Sequence, residues 1–249
     1  MRKKITSAFI LCSMFIALAG CGAQEESSST GGGVDVAGNG GNAVDVEDGK
    51  EKGDEESDGN GDAKSNDDND GSGGGYAIGV MTDDGFESPY LGLRFTAPDG
   101  FVMGDEDDIN ALMGIASDAL DIDKALFDYA ALTSTYEMMV SKPSGMPNAM
   151  VMTEKLMLKK MTVEQYLEAL KEQFSGVGLG YEVSEEFESA EIAGQTYTKL
   201  TASLEMLGTS MVQYYYVRKQ DDRIVAIIVT SEPGGEADVK TLLSGFAAY

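Results

Sequence analysis

Four consecutive acidic residues at 105–108 form the longest run of ionisable side chains in residues 76–249. Such carboxylates can pair as acid and base, or hold a hard cation. They also stand directly before apolar residues at helical spacing, beginning with Ile109, where carboxylates stabilise the helix dipole. The helix-terminus interpretation explains all four acids. We therefore predict capping rather than catalysis for Asp105, Glu106, Asp107 and Asp108.

The residue types exclude several common catalytic and metal-binding chemistries. The chain has no His, and its two Cys are Cys12 and Cys21. Nucleophilic catalysis that depends on His, and zinc or iron sites that contain His, are thereby excluded. No glycine-rich phosphate-binding motif occurs either. We predict no metal site, no cofactor and no enzymatic activity, and we keep a carboxylate-dependent extracellular hydrolase as the alternative.

Methionine and tyrosine supply the remaining candidates. Seven methionines fall within residues 138–161, and the strand pattern VQYYYVRK places two tyrosines on one face. Met fills gaps in cores, adapts to varied partners and can ligate Cu(I), whereas an aromatic stripe in a sheet usually packs across strands. We predict core packing, with an adaptable binding groove and copper ligation as alternatives. The candidate ligand contacts are Met138, Met150, Met152, Tyr214 and Tyr216.

The N-terminus has the features of a secretory signal. Basic residues at 2–4 precede an apolar run at 5–18, which is too short to span a bilayer comfortably. Leu18-Ala19-Gly20-Cys21 then resembles the bacterial lipobox. The resemblance implies that residues 1–20 are a lipoprotein signal peptide and that the Cys21 sulfur carries lipid. It also implies a place on the extracytoplasmic face of the cell membrane. An ordinary secretory signal with a chance cysteine is the alternative.

Residues 21–75 are predicted to be a tether without a core. Between positions 24 and 75 there are 15 acids and three lysines, and no aromatic residue, Leu, Ile, Met or Pro. So little apolar surface cannot offset the entropy of ordering the chain. A flexible chain of this length spans about 40 Å, so it would hold a domain away from the lipid.

Residues 76–249 suit one globular domain with its own core. They contain 28 acidic and 12 basic residues. Nucleic acid is excluded as a partner, because phosphate binding relies on Lys and Arg. We expect anionic lipid to repel the domain as well. The predicted partners are the membrane, through the lipid anchor, and an envelope or extracellular protein.

Hydrophobic periodicity predicts an α+β domain. Strands are predicted at 91–96, 135–141 and 148–154, with further strands from 181 to 232; helices are predicted at 109–120, 124–131, 161–176 and 236–246. The strand at 224–229 is apolar without interruption, so both its faces should be buried. We predict a mainly antiparallel sheet of about six to seven strands, with helices on both faces.

A family resemblance covers most of residues 86–249. Its elements are Pro98-Asp99-Gly100-Phe101 after a short strand, a capped amphipathic helix, the meander containing IAGQTYTKL and VQYYYVRKQDDRIVAIIVTSE, and the terminal VKTLLSGF. This pattern is similar to the Mog1/PsbP-like sandwich, including bacterial lipoproteins of the DcrB-like type. The resemblance implies a binding or assembly factor, although a fold alone does not determine function.

Overall fold

The computed structural model describes residues 75–82, 84–105, 107–109, 133–176, 178–206 and 208–249. Cys21, the predicted signal peptide and all of the predicted tether except Gly75 lie outside them. The elements are β1 (Val80–Thr82), β2 (Gly85–Ser88), β3 (Leu93–Thr96), β4 (Val102–Gly104), β5 (Ser134–Ser141), β6 (Asn148–Lys155), α1 (Val163–Gly176), β7 (Glu182–Val183), β8 (Glu188–Ile192), β9 (Gln195–Met206), β10 (Thr209–Gln220), β11 (Arg223–Ser231), α2 (Glu236–Ser244) and β12 (Phe246–Ala248).

These strands form two antiparallel sheets. The large sheet has the order β4-β5-β6-β11-β10-β9-β7, and β8 also pairs with β9; the small sheet has the order β1-β2-β3-β12. The described residues contain twelve strands, more than the six or seven predicted for the sheet. The strands that the prediction missed, β1, β2, β4 and β12, are only three or four residues long, which is too short for a clear alternating pattern.

The central strand β11 is covered on both faces, as predicted. Residues 224–229 are all 0% exposed. Ile224, Ala226 and Ile228 lie in the core cluster that contains the buried residues of α1. The side chains of Val225, Ile227 and Val229 lie in a second cluster, with residues of α2 and the small sheet. We call these the helix face and the sheet face of the large sheet.

The predicted pair of helical layers is not confirmed. On the sheet face, α2 contributes Val239 and Leu242, but the small sheet shares the cover through Phe86, Leu93 and Phe95. Phe246 was predicted on the last helix; it instead lies in β12 opposite Phe95, because α2 ends at Ser244. Neither α1 nor α2 has the length and apolar character of a membrane-crossing helix.

Helix α1 begins at a capping box, whose sequence signature is Thr162 followed three residues later by Gln165. The Thr162 hydroxyl accepts a bond from the Gln165 backbone N–H at 3.2 Å, and the Gln165 side chain accepts one from the Thr162 N–H at 3.1 Å. Tyr166, Leu167, Leu170 and Phe174 are buried along one stripe of α1, also as predicted.

The first of the strands predicted from residue 181 onward is interrupted between β7 and β8. Val183 pairs with Ala202, whereas Glu188 pairs with Lys199. From β7 to β8 the chain therefore advances five residues while the partner strand β9 advances only three. The extra residues bend outward toward α1, where the Lys171 ammonium donates to the Glu185 carbonyl at 2.8 Å.

Asp105, Asp107 and Asp108 lie at the start of a helix. Asp105 and Asp108 each accept the other's backbone N–H, at 2.9 and 3.1 Å, and residues 107–109 are helical. This reciprocal bonding is the capping that we predicted. The rest of the helix predicted at 109–120, and the one predicted at 124–131, lie outside the described residues.

Candidate functional site

A β-bulge in β5 redirects one acidic side chain. Tyr136 pairs with Met152, but Met138 pairs with Val151, so the register shifts between Tyr136 and Met138 and leaves Glu137 as the extra residue. Tyr136 packs on the helix face, whereas Met138 lies in the sheet-face cluster. Bulges of this kind re-aim a side chain. Glu137 is only 4% exposed.

Both oxygens of the Glu137 carboxylate accept hydrogen bonds from the first described residues. The Tyr76 hydroxyl donates to Oε1 at 2.7 Å, and the Gly79 backbone N–H donates to Oε2 at 2.7 Å. The Thr153 hydroxyl in turn donates to the Tyr76 oxygen at 3.3 Å, and Arg223 donates to the Thr153 oxygen at 3.4 Å. We call these five residues the Glu137 clasp, because they fasten the start of the domain to the large sheet.

Burial governs the electrostatics of the clasp. It raises the pKa of Glu137, although the Gly79 N–H, the Tyr76 hydroxyl and the Arg223 charge act in the opposite direction. The Arg223 guanidinium lies 3.5 Å from the centroid of the Tyr76 ring, a cation–π contact. Burial also raises the pKa of Tyr76. The clasp is thus a buried carboxyl group held between two hydrogen-bond donors, with the Arg223 guanidinium stacked on the Tyr76 ring.

Tyr90 extends the clasp. Its ring meets Tyr76 edge-on, with centroids 5.2 Å apart and an 89° angle between the ring planes. The Tyr90 hydroxyl donates to Asp221 at 3.2 Å. Burial, reinforced by the Asp221 charge, raises the pKa of Tyr90 to about 12. The hydroxyl therefore stays protonated and able to donate at neutral pH.

A second buried carboxylate, Glu154, lies on the other side of the large sheet. It is 5% exposed and accepts a bond at 3.0 Å from the hydroxyl of Tyr166 in α1. Thr153, the clasp residue beside it, points to the opposite face because side chains alternate along a strand. The two buried carboxylates therefore do not converge. Among the described residues, no group of three or more acidic or Cys side chains is placed to hold a metal ion.

The predicted methionine contacts lie in the core. Met138 and Met152 are 0% exposed and Met150 is 1% exposed. Met138 belongs to the sheet-face cluster, and Met150 and Met152 belong to the helix-face cluster. The structure does not bring the three together on one surface, and it places Met138 and Met139 on opposite faces, as predicted. Their contact with a ligand stays a prediction.

The two candidate tyrosines share the sheet face, as predicted. Tyr216 is 5% exposed, and burial raises its pKa to about 12. Tyr214 is partly exposed, and the Lys199 ammonium lies 5.2 Å from its ring centroid while bonding to Glu188 at 2.9 Å. Of the five candidate ligand contacts, Tyr214 is the most accessible. Its role in binding remains a prediction.

Sequence reasoning missed Glu137 and Tyr76. Tyr76 is the first aromatic residue after the acidic segment, and Glu137 interrupts an otherwise apolar stretch between Tyr136 and Met138. These two irregularities were the sequence signals that could have pointed to the Glu137 clasp. The alternating pattern did not reveal that a bulge turns Glu137 inward.

The domain has no match among family models or curated proteins. Several solved structures are similar. The cyanobacterial PsbP protein (CyanoP) from Synechocystis has 12% identity and a TM-score of 0.41, covering 70% of this chain and 98% of its own. LpqN of Mycobacterium tuberculosis, involved in cell envelope biogenesis, has 9% identity and a TM-score of 0.37, covering 62% and 82%. A protein from Bacteroides thetaiotaomicron has 13% identity and a TM-score of 0.38, covering 68% and 49%.

Proposed function

We propose that this chain is a lipid-anchored, extracytoplasmic binding or assembly module without enzymatic activity, and that its partner is an envelope or extracellular protein. The observation that carries the proposal is the separation of the two buried carboxylates. Glu137 and Glu154 each accept protein hydrogen bonds on different sides of the large sheet. A carboxylate hydrolase would need two such groups facing one substrate. The clasp instead uses Glu137 to hold Tyr76 and Gly79 against the large sheet.

Membrane anchoring rests on the N-terminal pattern. The basic start, the apolar run and the lipobox ending at Cys21 occur in the order that a lipoprotein signal requires. More than one acyl chain on this cysteine would give stable anchoring, since one chain is marginal by itself.

Metabolic labelling with palmitate tests the anchor. Cys21→Ala should lose the label and leave the protein unprocessed or released. Cys12→Ala is the matched control, because position 12 lies within the segment that would be removed; this variant should label as the wild type does. Equal labelling of wild type and Cys21→Ala would refute the anchor.

We also propose that helices flank both faces of the large sheet, as the Mog1/PsbP-like resemblance implies, and that residues between 109 and 133 add a helical layer. Support comes from Asp105 and Asp108, whose mutual backbone bonds start a helix, and from the doubly covered strand β11. A crystal structure in which residues 110–132 form no helix would contradict it.

The alternative, a carboxylate-dependent extracellular hydrolase, is favoured by one observation. The pKa of Glu137 is raised by burial, which is typical of a general acid. Against this, both of its oxygens already accept bonds. A hydrolytic turnover that disappears in Glu137→Gln or in Asp105→Asn/Asp108→Asn, while circular dichroism shows a preserved fold, would overturn the binding module in favour of the enzyme.

A further inference from the structure

The loop between β6 and α1 exposes apolar side chains beside lysines. Met157 is 79% exposed and Leu158 is 52% exposed, and the side chain of Lys159 is 78% exposed. Lys160 is exposed as well. We call residues 156–161 the apolar-basic loop. With Lys155 just before it, this stretch has three lysines and no acid, in a chain with a formal net charge of −25.

The apolar-basic loop is held in place at both ends. Leu156 is buried, and its N–H donates to the Asp222 carbonyl at 2.8 Å. Met161 packs against the helix-face cluster, and its N–H donates to the Leu158 carbonyl at 2.8 Å. The Lys219 ammonium also donates to the carbonyls of Lys159 and Met161. The projecting residues 157–160 are therefore presented from a fixed backbone, so ordering of the backbone adds little to the cost of binding a surface.

Basic residues are concentrated at this end of the large sheet. Lys155 is the register partner of Arg223, and the β10–β11 turn follows Gln220 at the same end. Six of the 12 basic residues of positions 76–249 are found in these segments: Lys155, Lys159, Lys160, Arg218, Lys219 and Arg223. The neighbouring acids are engaged within the protein, since Asp222 pairs with Lys159 at 3.9 Å and Asp221 accepts the Tyr90 bond.

The N-terminal chain joins the domain at the same end. Tyr76 stacks against Arg223, the residue paired with Lys155. The described part of the chain therefore begins at the end of the sheet that bears the apolar-basic loop.

We propose that the apolar-basic loop docks on an anionic phospholipid surface, with Met157 and Leu158 entering the interface and Lys160 meeting the headgroups. Apolar side chains flanked by lysines have the chemistry of interfacial binding. The acidic composition of residues 76–249 predicted that anionic lipid would repel the domain, but charges more than a Debye length of about 8 Å away are largely screened. The repulsion acts on the acidic remainder of the domain and therefore favours the orientation that turns this end toward the membrane. The docking rests on the proposed function in one respect only: the proposed lipid anchor is what keeps the chain near the membrane.

A single fluorophore tests the docking independently of acylation. The full-length chain carrying Cys12→Ser, Cys21→Ser and Leu158→Cys is labelled with the environment-sensitive dye NBD. It is then titrated with vesicles of phosphatidylcholine, or of phosphatidylcholine and phosphatidylglycerol at three to one. The emission at 158 should shift to the blue with the anionic vesicles. The matched control is Ser210→Cys, an exposed site at the opposite end of β10. The dye at this site should keep the emission wavelength that it has in water.

Two lysine variants test the electrostatic contribution to the docking. In the labelled Leu158→Cys chain, Lys160→Gln should lower the partition coefficient into anionic vesicles about fivefold. Lys240→Gln, in α2, removes the same charge elsewhere and should leave the partition coefficient unchanged.

Three outcomes would overturn the docking. One is an aqueous spectrum at position 158 in anionic vesicles. Another is an equal shift at 158 and 210. The third is a shift at 158 that appears only when cell-surface protein extract is added, which would make the loop a protein-binding surface. Because the labelled chain has no Cys21, none of these results bears on lipidation, which palmitate labelling tests separately.

Discussion

The Tyr76 hydroxyl donates a 2.7 Å hydrogen bond to Glu137, 61 positions further along the chain. The Gly79 N–H bonds to the other carboxylate oxygen. Residues 75–79 thus belong to the folded domain, although they directly follow a segment whose composition cannot build a core. The two hydrogen bonds to Glu137 therefore show that the folded domain already includes Tyr76.

Two deletions should locate this boundary. Removing residues 24–75 retains Tyr76 and should leave the midpoint of thermal unfolding nearly unchanged, within about 4 °C. Removing residues 24–79 also deletes both donors to Glu137 and leaves its buried carboxylate without them. That deletion should lower the midpoint by about 4 °C or more, measured by differential scanning calorimetry. Equal midpoints for the two deletions would show that the clasp does not stabilise the domain.

Tyr76→Phe should destabilise the protein by about 1–3 kcal/mol, because it leaves one oxygen of a buried carboxylate without its donor. The Tyr76 bond lowers the pKa of Glu137, so the variant should also raise that pKa further, as measured by carbon-13 NMR of the side chain. The control is Tyr249→Phe at a 61% exposed site. It should change the free energy of unfolding by less than about 0.5 kcal/mol.

The effect of Glu137 on stability should depend on pH. Burial raises its pKa in the folded state, so the folded protein holds this proton more tightly than the unfolded chain does. The stability contributed by this group is fully present below the unfolded-state pKa of about 4.3. It is lost as the pH rises through the folded-state pKa.

Glu137→Gln removes the titration and provides the reference. The free energy of unfolding of the wild type minus that of Glu137→Gln should therefore fall as the pH rises from about 4. Urea unfolding curves of both proteins across this range measure the difference. A difference that grows with pH would mean that the buried carboxyl is stabilised in its ionised form.

Ile227→Ala and Ile228→Ala should each cost about 2–5 kcal/mol. Both side chains are 0% exposed, and each lies in a different core cluster, so each variant opens a cavity on its own side of β11. Ile78→Ala, at a 58% exposed site, is the control and should cost less than about 0.5 kcal/mol. Guanidinium unfolding compares the three. A near-neutral result for either core variant would mean that one face of β11 is solvated.

Thr162→Ala should cost about 1 kcal/mol, since it removes the hydroxyl that accepts the Gln165 N–H at the start of α1. Thr162→Ser keeps that acceptor and is the matched control. If both variants lose the same stability in urea unfolding, the capping bond is not what position 162 contributes.

The sequence by itself determined the elements whose signals are local. Both the capping box at Thr162 and the buried run 224–229 could be recognised in the sequence, because caps and periodic burial depend on neighbouring residues. It also assigned Asp105 and Asp108 to capping, which their hydrogen bonds confirm.

Only the tertiary structure decided where Glu137 points and what lies against it. A register shift of one residue moves a side chain to the other face of a sheet, and the shift at Tyr136–Met138 arises from pairing with β6 rather than from any local pattern. The same holds for β1, β2 and β12, which are too short to be recognised alone and exist because they pair with one another and with β3. Pairing between strands that are distant in the chain therefore determined both the Glu137 clasp and the layer that covers the sheet face. A short stretch of sequence does not reveal such pairing.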